Sequence, residues 1–148
     1  RRRLELLGTW RGSPVYTDYA HHPTEIVSSI AALREVHPDS PLTAVFQPHQ
    51  YSRTAILFDG LVEALSGLDA VVITEVFRQR DVEEQVRSVS GERLAAALRE
   101  KTPRTLYAGD RERVPAVLRH GGFDGSVILF MGAGDIDAVA RGMIGRGD

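Results

Sequence analysis

Cysteine is missing from all 148 residues, which excludes disulfides, thiolate metal sites and cysteine nucleophiles. Lysine is nearly missing too: of 18 basic residues only Lys101 is not arginine. Lys101 lies beside Pro103 at the expected end of a helix, where a solvated cation suits the helix dipole, so a phosphate-gripping lysine is nearly excluded. The longest apolar runs are five to seven residues, too short to span a membrane. Arg1-Arg2-Arg3 leads into the charge-broken Leu4-Glu5-Leu6-Leu7, not into the apolar stretch of a secretory leader. A net charge of -2 gives no basic field for nucleic acid. What remains is 43% hydrophobic and 26% charged, the balance of one soluble domain that buries its core without staples.

Hydrophobic periodicity divides the chain into alternating strands and helices. Extended pieces at Leu4–Leu7 and Val15–Tyr19 flank a turn at Trp10–Pro14. A helix follows from Pro23 to Val36, with Ile26, Val27, Ile30, Leu33 and Val36 on one stripe. Leu42–Phe46 reads as a strand and Ser52–Leu65 as a helix that buries Ile56, Leu57, Leu61, Val62 and Leu65. Strands at Ala70–Phe77, Thr105–Ala108 and Ser126–Met131 alternate with helices at Ser90–Arg99, Arg111–Arg119 and Asp135 to about Met143. Short apolar strands separated by helices make βαβ units and a parallel sheet covered on both faces. The expected fold is α/β, a Rossmann-like three-layer domain with a mostly parallel sheet and an N-terminal hairpin-like β segment.

Ligands of such sheets bind beyond the carboxyl ends of the strands. The residues there are Asp18 to Pro23, Gln47 to Arg53, Glu75 to Asp81, Gly109-Asp110 and Gly132 to Asp135. Three of the five histidines, His21, His22 and His49, fall on this rim beside Asp18, Tyr19 and Arg53. No metal is assigned, since adjacent histidines rarely face one ion and no HxxxH pair occurs. An anion fits better: helix N-termini offer unpaired N–H groups, and Arg53 can add a bidentate fork. The alternative for Arg53 is a solvated first-turn residue; Asp18 could meet a ribose hydroxyl or cap the helix at Pro23. Gly132-Ala133-Gly134 lacks the third glycine of a dinucleotide fingerprint, so close packing with Asp135 as helix cap is the simpler role. Neither a GxxxxGK[ST] phosphate loop nor a nucleophile elbow is present.

Three segments carry a family resemblance: Tyr16-Thr17-Asp18-Tyr19-Ala20-His21-His22-Pro23-Thr24-Glu25, Val45-Phe46-Gln47-Pro48-His49-Gln50-Tyr51-Ser52-Arg53-Thr54, and Phe130-Met131-Gly132-Ala133-Gly134-Asp135. Together they resemble the C-terminal domain of the Mur ligases over essentially the whole chain, including its opening Arg2-Arg3-Leu4-Glu5. A branch that recycles murein tripeptide shares Asp-Tyr-Ala-His-His-Pro, whereas Phe46 to Thr54 looks like the branch that adds L-alanine to UDP-N-acetylmuramate.

The resemblance implies a cytoplasmic bacterial enzyme of three domains, of which residues 1–148 are one. The N-terminal domain would hold the UDP-sugar, and the central one ATP and Mg2+. ATP phosphorylates the muramate carboxylate in this family, and the amine of alanine then attacks the acyl phosphate. By the same resemblance Asp18 and Tyr19 lie toward ATP. His21, His49 and Arg53 would be catalytic, with His22, Gln50, Tyr51 and Ser52 on the substrate side. Two departures bear on amino-acid specificity: Gln50 stands where arginine is common, and the stretch from Phe77 to Val89 is highly charged. Lacking a phosphate loop, the chain alone is expected to fold without catalysing. A free-standing nucleotide- or phosphate-binding module is the reading from another class.

Overall fold

The computed structural model describes residues 3–77 and 89–146, so the interior of the charged stretch lies outside the described residues. Strands β1 (Glu5–Trp10) and β2 (Ser13–Asp18) form a hairpin. Then come α1 (Pro23–Val36), β3 (Leu42–Phe46), α2 (Tyr51–Leu65), β4 (Ala70–Thr74), α3 (Gly91–Arg99) and β5 (Thr105–Gly109). A 3-10 turn at Arg111–Arg113 runs into α4 (Val114–His120), followed by β6 (Val127–Met131) and α5 (Ile136–Arg146). The strand order is β1-β2-β6-β3-β4-β5, with β1 antiparallel to its neighbour and the other pairings parallel.

Helices α1, α2 and α3 pack on one face, against Leu42, Ala44, Phe46, Val71, Ile73 and Leu129. Helices α4 and α5 cover the other, against Val15, Val45, Val72, Ile128 and Phe130. Strands β3, β4 and β6 are consequently buried at every position, which is why Ala70–Ile73 and Val127–Phe130 read as unbroken apolar runs.

Four expectations change. Arg11 and Gly12, at φ 50° and 84°, make a two-residue turn whose twist suits paired strands, so Trp10, Ser13 and Pro14 are strand residues, not loop. Strand β4 stops at Thr74 instead of Phe77, because its register with β5 slips after Ile73 and the chain swings toward residues 48–50. The helix expected from Arg111 starts as a 3-10 turn; Pro115 has no N–H to bond the Arg111 carbonyl, so the α geometry begins at Val114. Ile56 and Val27 are 83% and 54% exposed, while Thr54 and Ser29 take the buried stripe positions beside them.

After β3 and β4 the chain enters helices on the first face, and after β6 it enters α5 on the second. The crevice where these loops part, at the carboxyl ends of β3 and β6, is a topological switch point, the usual place for a ligand.

Candidate functional site

Helix α1 starts under a reciprocal cap. The His22 Nδ1 accepts from the Thr24 N–H at 3.3 Å, and the Glu25 carboxylate accepts from the N–H groups of His21 and His22, each at 3.1 Å. Burial pushes the Glu25 carboxyl upward, but those two N–H groups and the neighbouring imidazoles outweigh it and hold it below its ordinary value. Asp18 therefore does not cap α1. Its carboxylate is 4% exposed and accepts from Ala20 N at 3.0 Å, Leu4 N at 3.2 Å and Ser29 Oγ at 2.6 Å, tying the end of β2 to the chain's start and to α1.

Rings run across the rim from β2 to β4. Tyr19 meets His21 edge-on at 6.1 Å between centroids, His21 meets His49 at 5.9 Å, and His49 stacks on Phe77 at 5.7 Å and 14°. The loop carrying His49 is held by a short parallel bridge to residues 75–77: Phe77 N donates to Pro48 O at 2.7 Å and Gln50 N to Phe77 O at 2.8 Å. Closing that bridge while opening α2 forces Gln50 to φ 66°, an uncommon conformation outside glycine. Its carbonyl still accepts from Thr54 N and Thr54 Oγ1.

Arg53 extends from the first turn of α2, which contains no acidic residue. Its guanidinium is exposed and has no ion-pair partner among the described residues. A cation there repels the positive end of the helix dipole, so the fold gains nothing from placing it at that end. Gln50, Ser52 and Arg53 share a hollow of about 320 Å³ with Ile56 and Leu57.

Tyr51 goes elsewhere. Expected on the substrate side, Tyr51 is 5% exposed, and its hydroxyl donates to Glu75 Oε2 at 2.9 Å. Glu75 also accepts from Tyr107 OH at 2.6 Å and from the N–H groups of Val76 and Gly91, each at 3.0 Å. Burial alone would raise its pKa, yet these donors hold the carboxyl below the usual glutamate value. Burial and that same carboxylate push the Tyr107 phenol well above its ordinary pKa.

A second polar lock joins β3 to β6. Gln47 exchanges two hydrogen bonds with Asp135, Nε2 to Oδ1 at 2.8 Å and Asp135 N to Oε1 at 3.1 Å, and Asp135 Oδ2 pairs with Arg111 Nε at 3.0 Å. Asp135 thus precedes α5, as expected of a cap, but its carboxylate serves Gln47 and Arg111. The glycine loop packs closely: a Cβ on Gly134 would stand 2.6 Å from Gln47 Oε1 and 2.7 Å from the Phe77 ring. Glu75, Gln47, Tyr51, Arg111 and Asp135 border a hollow of about 370 Å³. Sequence reasoning placed Gln47, Glu75 and Asp135 on the rim without giving Glu75 a role. Among the described residues, no group of three or more His, Cys, Asp or Glu side chains is arranged to hold a metal ion.

Comparison with known proteins bears on the family and the fold. The profile described as Mur ligase, glutamate ligase domain, matches residues 2–134. The chain belongs to the Mur ligase family. It is 44% identical over 135 residues to the UDP-N-acetylmuramate-L-alanine ligase of Aquifex aeolicus, covering 91% of this chain and 28% of that protein. Among solved structures, the UDP-N-acetylmuramate-alanine ligase of Thermotoga maritima matches with a TM-score of 0.68 and 25% identity, covering 92% of this chain and 27% of that one. A murein peptide ligase from Psychrobacter arcticus shares the fold, with a TM-score of 0.73 at 20% identity over 100% of this chain and 30% of that one. The chain spans less than a third of these relatives' length.

Proposed function

We propose that this chain is the C-terminal domain of an ATP-dependent ligase that joins L-alanine to UDP-N-acetylmuramate through an acyl phosphate. It would act with an N-terminal domain for the UDP-sugar and a central domain for ATP and Mg2+, in the cytoplasm. The observation that carries this reading is Arg53, an exposed cation in the first turn of α2, the helix that follows the His49 loop. The 44% identity to an alanine-adding ligase supports the choice of reaction.

ATP supplies the phosphoryl group that turns the muramate carboxylate into an acyl phosphate. Attack by the alanine amine at the acyl carbon forms the C–N bond; inorganic phosphate departs with the C–O electron pair, and the amine gives up a proton. Negative charge gathers on the phosphoryl and carbonyl oxygens, and Arg53 with the first N–H groups of α2 is placed to receive it. His21 and His49 stand together on the same rim, suited to orient the incoming amine and take its proton. Tyr19, 40% exposed, faces the nucleotide side, and Asp18 keeps acceptor capacity for a ribose hydroxyl beyond its three internal bonds. His22, Gln50 and Ser52 border the substrate side, with Tyr51 holding the start of α2 from beneath. Among the described residues no cluster of carboxylates and imidazoles fits a metal ion, and Mg2+ would be held by the central domain.

The test is phosphate release from ATP by the whole reading frame, with UDP-N-acetylmuramate and L-alanine each omitted in turn. Release that needs both is expected, and none from the 148 residues alone. A requirement for tripeptide in place of alanine would transfer the reading to the recycling branch. Tight ATP binding by the 148 residues alone would favour a free-standing nucleotide-binding module.

A further inference from the structure

The Glu75 carboxylate gathers four donors from four places: the first residue of α2, the strand β5, the first residue of α3, and its own neighbour Val76. All four belong to the chain, so the carboxylate is engaged with other residues of the fold. Two of its bonds lead to the rim. Through Tyr51 it fixes the start of α2, two residues before Arg53. Through Val76 it fixes the segment whose next residue, Phe77, stacks on His49 and bonds the backbone of Pro48 and Gln50. The Gly91 and Tyr107 bonds anchor the carboxylate from the far side, where α3 approaches so closely that a Cβ on Gly91 would lie 3.0 Å from the Glu75 Cα.

From this geometry we infer that Glu75 is a positioning residue of the proposed ligase reaction, setting His49 through Phe77 and Arg53 through Tyr51. The inference rests on the ligase reading for its kinetic consequence, while its structural half stands apart from it. Misplacing a charge-stabilising group by about 1 Å can cost on the order of 10²-fold in rate without weakening substrate binding. Loss of this clamp should accordingly lower kcat and leave KM for ATP unchanged.

Two phenol-to-phenyl changes separate positioning from mere stability, since each deletes one hydrogen bond to the same carboxylate. In the whole ligase, Tyr51→Phe should lower kcat about tenfold or more, whereas Tyr107→Phe, which leaves the Tyr51 and Val76 bonds to the carboxylate in place, should lower it several-fold less. Combining Tyr51→Phe with Glu75→Gln should cost no more than Glu75→Gln alone. Equal losses from both tyrosine variants, no loss from either, or an additive double variant would overturn the inference. A readout independent of turnover is the upfield ring-current shift of the His49 ring protons over Phe77. It should diminish in Glu75→Gln while the distant Trp10 indole resonance stays in place. Persistence of the shift in a folded Glu75→Gln protein would also defeat the inference, even if the enzyme proved to have another activity. Should Glu75→Gln fail to fold, the loss in Tyr51→Phe set against that in Tyr107→Phe remains the test.

Discussion

The two halves of the rim handle their polar groups in opposite ways. Beyond β4, Glu75 is pinned by four donors, and Gln47 at the end of β3 locks with Asp135 beyond β6 and, through it, with Arg111 beyond β5. At the start of α2, a fixed scaffold ends in Arg53, exposed and without an ion-pair partner among the described residues. A buried polar group left unsatisfied costs roughly 1–3 kcal/mol, so the first half is what a stable fold requires. The second half is what a fold keeps for something outside itself. The contrast also marks how far rigidity extends: the closed half ends at Phe77, directly against His49.

The sharpest way to break this contrast is at Arg53. In the whole ligase, Arg53→Ala should reduce kcat by roughly 10²-fold, about 3 kcal/mol of transition-state stabilisation, and leave the unfolding midpoint of the domain nearly unchanged. Unaltered turnover would remove Arg53 from the site; a large loss of stability would place it in the fold instead. Next in size is Gly134→Ala, whose methyl would press on Gln47 Oε1 and the Phe77 ring. A loss of about 1–3 kcal/mol in urea unfolding is expected, and an unchanged midpoint would mean that the closed half is looser than its contacts imply.

Acid titration sharpens the same comparison more gently. The Glu75 carboxyl is held below its ordinary value, so folded protein binds fewer protons there than unfolded protein does. The stability this supplies is complete above about pH 4.3 and disappears as pH falls through the lower folded value. Thermal melts between about pH 5 and pH 2 should therefore show a shallower acid limb for Glu75→Gln than for the wild type. Superimposable limbs would sink the claim. Smallest of all is Ile56→Ser: with the side chain 83% exposed, urea unfolding should move by no more than about 0.5 kcal/mol. A loss above about 2 kcal/mol would restore Ile56 to the core, where sequence reading put it.

That misplacement shows where sequence reading succeeds and where it stops. The buried strands announce themselves, because a strand covered on both faces is mostly apolar, and β3 was legible to the residue even with Thr43 inside it. Helix stripes were legible only as far as residue type tracks position. On α2 the buried positions are 51, 54, 61, 62, 64 and 65, so Thr54 is buried and Ile56 is not. Ser29 takes the equivalent place on α1 because its hydroxyl has Asp18 to bond, a partner 11 residues away that no helical wheel reveals. The rim itself was legible from topology: His21, His49 and Arg53 fell on it because strand ends and helix starts must converge. The Glu75 cluster was not, since its side-chain donors lie 24 and 32 residues downstream or upstream in the chain, and each alone is an ordinary tyrosine.

The position of β6 has a consequence for the order of assembly. It lies between β2 and β3, and those two strands meet only through it, Thr17 facing Phe130 and Val45 facing the same residue from the other side. During synthesis the β1–β2 hairpin leaves the ribosome early but has no place in the sheet until residue 131 has followed it. The domain is therefore completed by its keystone, and the pairing that spans the greatest length of chain closes the structure, a slow-folding arrangement. A nascent chain stalled before Val127 would hold β3, β4 and β5 together while leaving its first two strands unplaced.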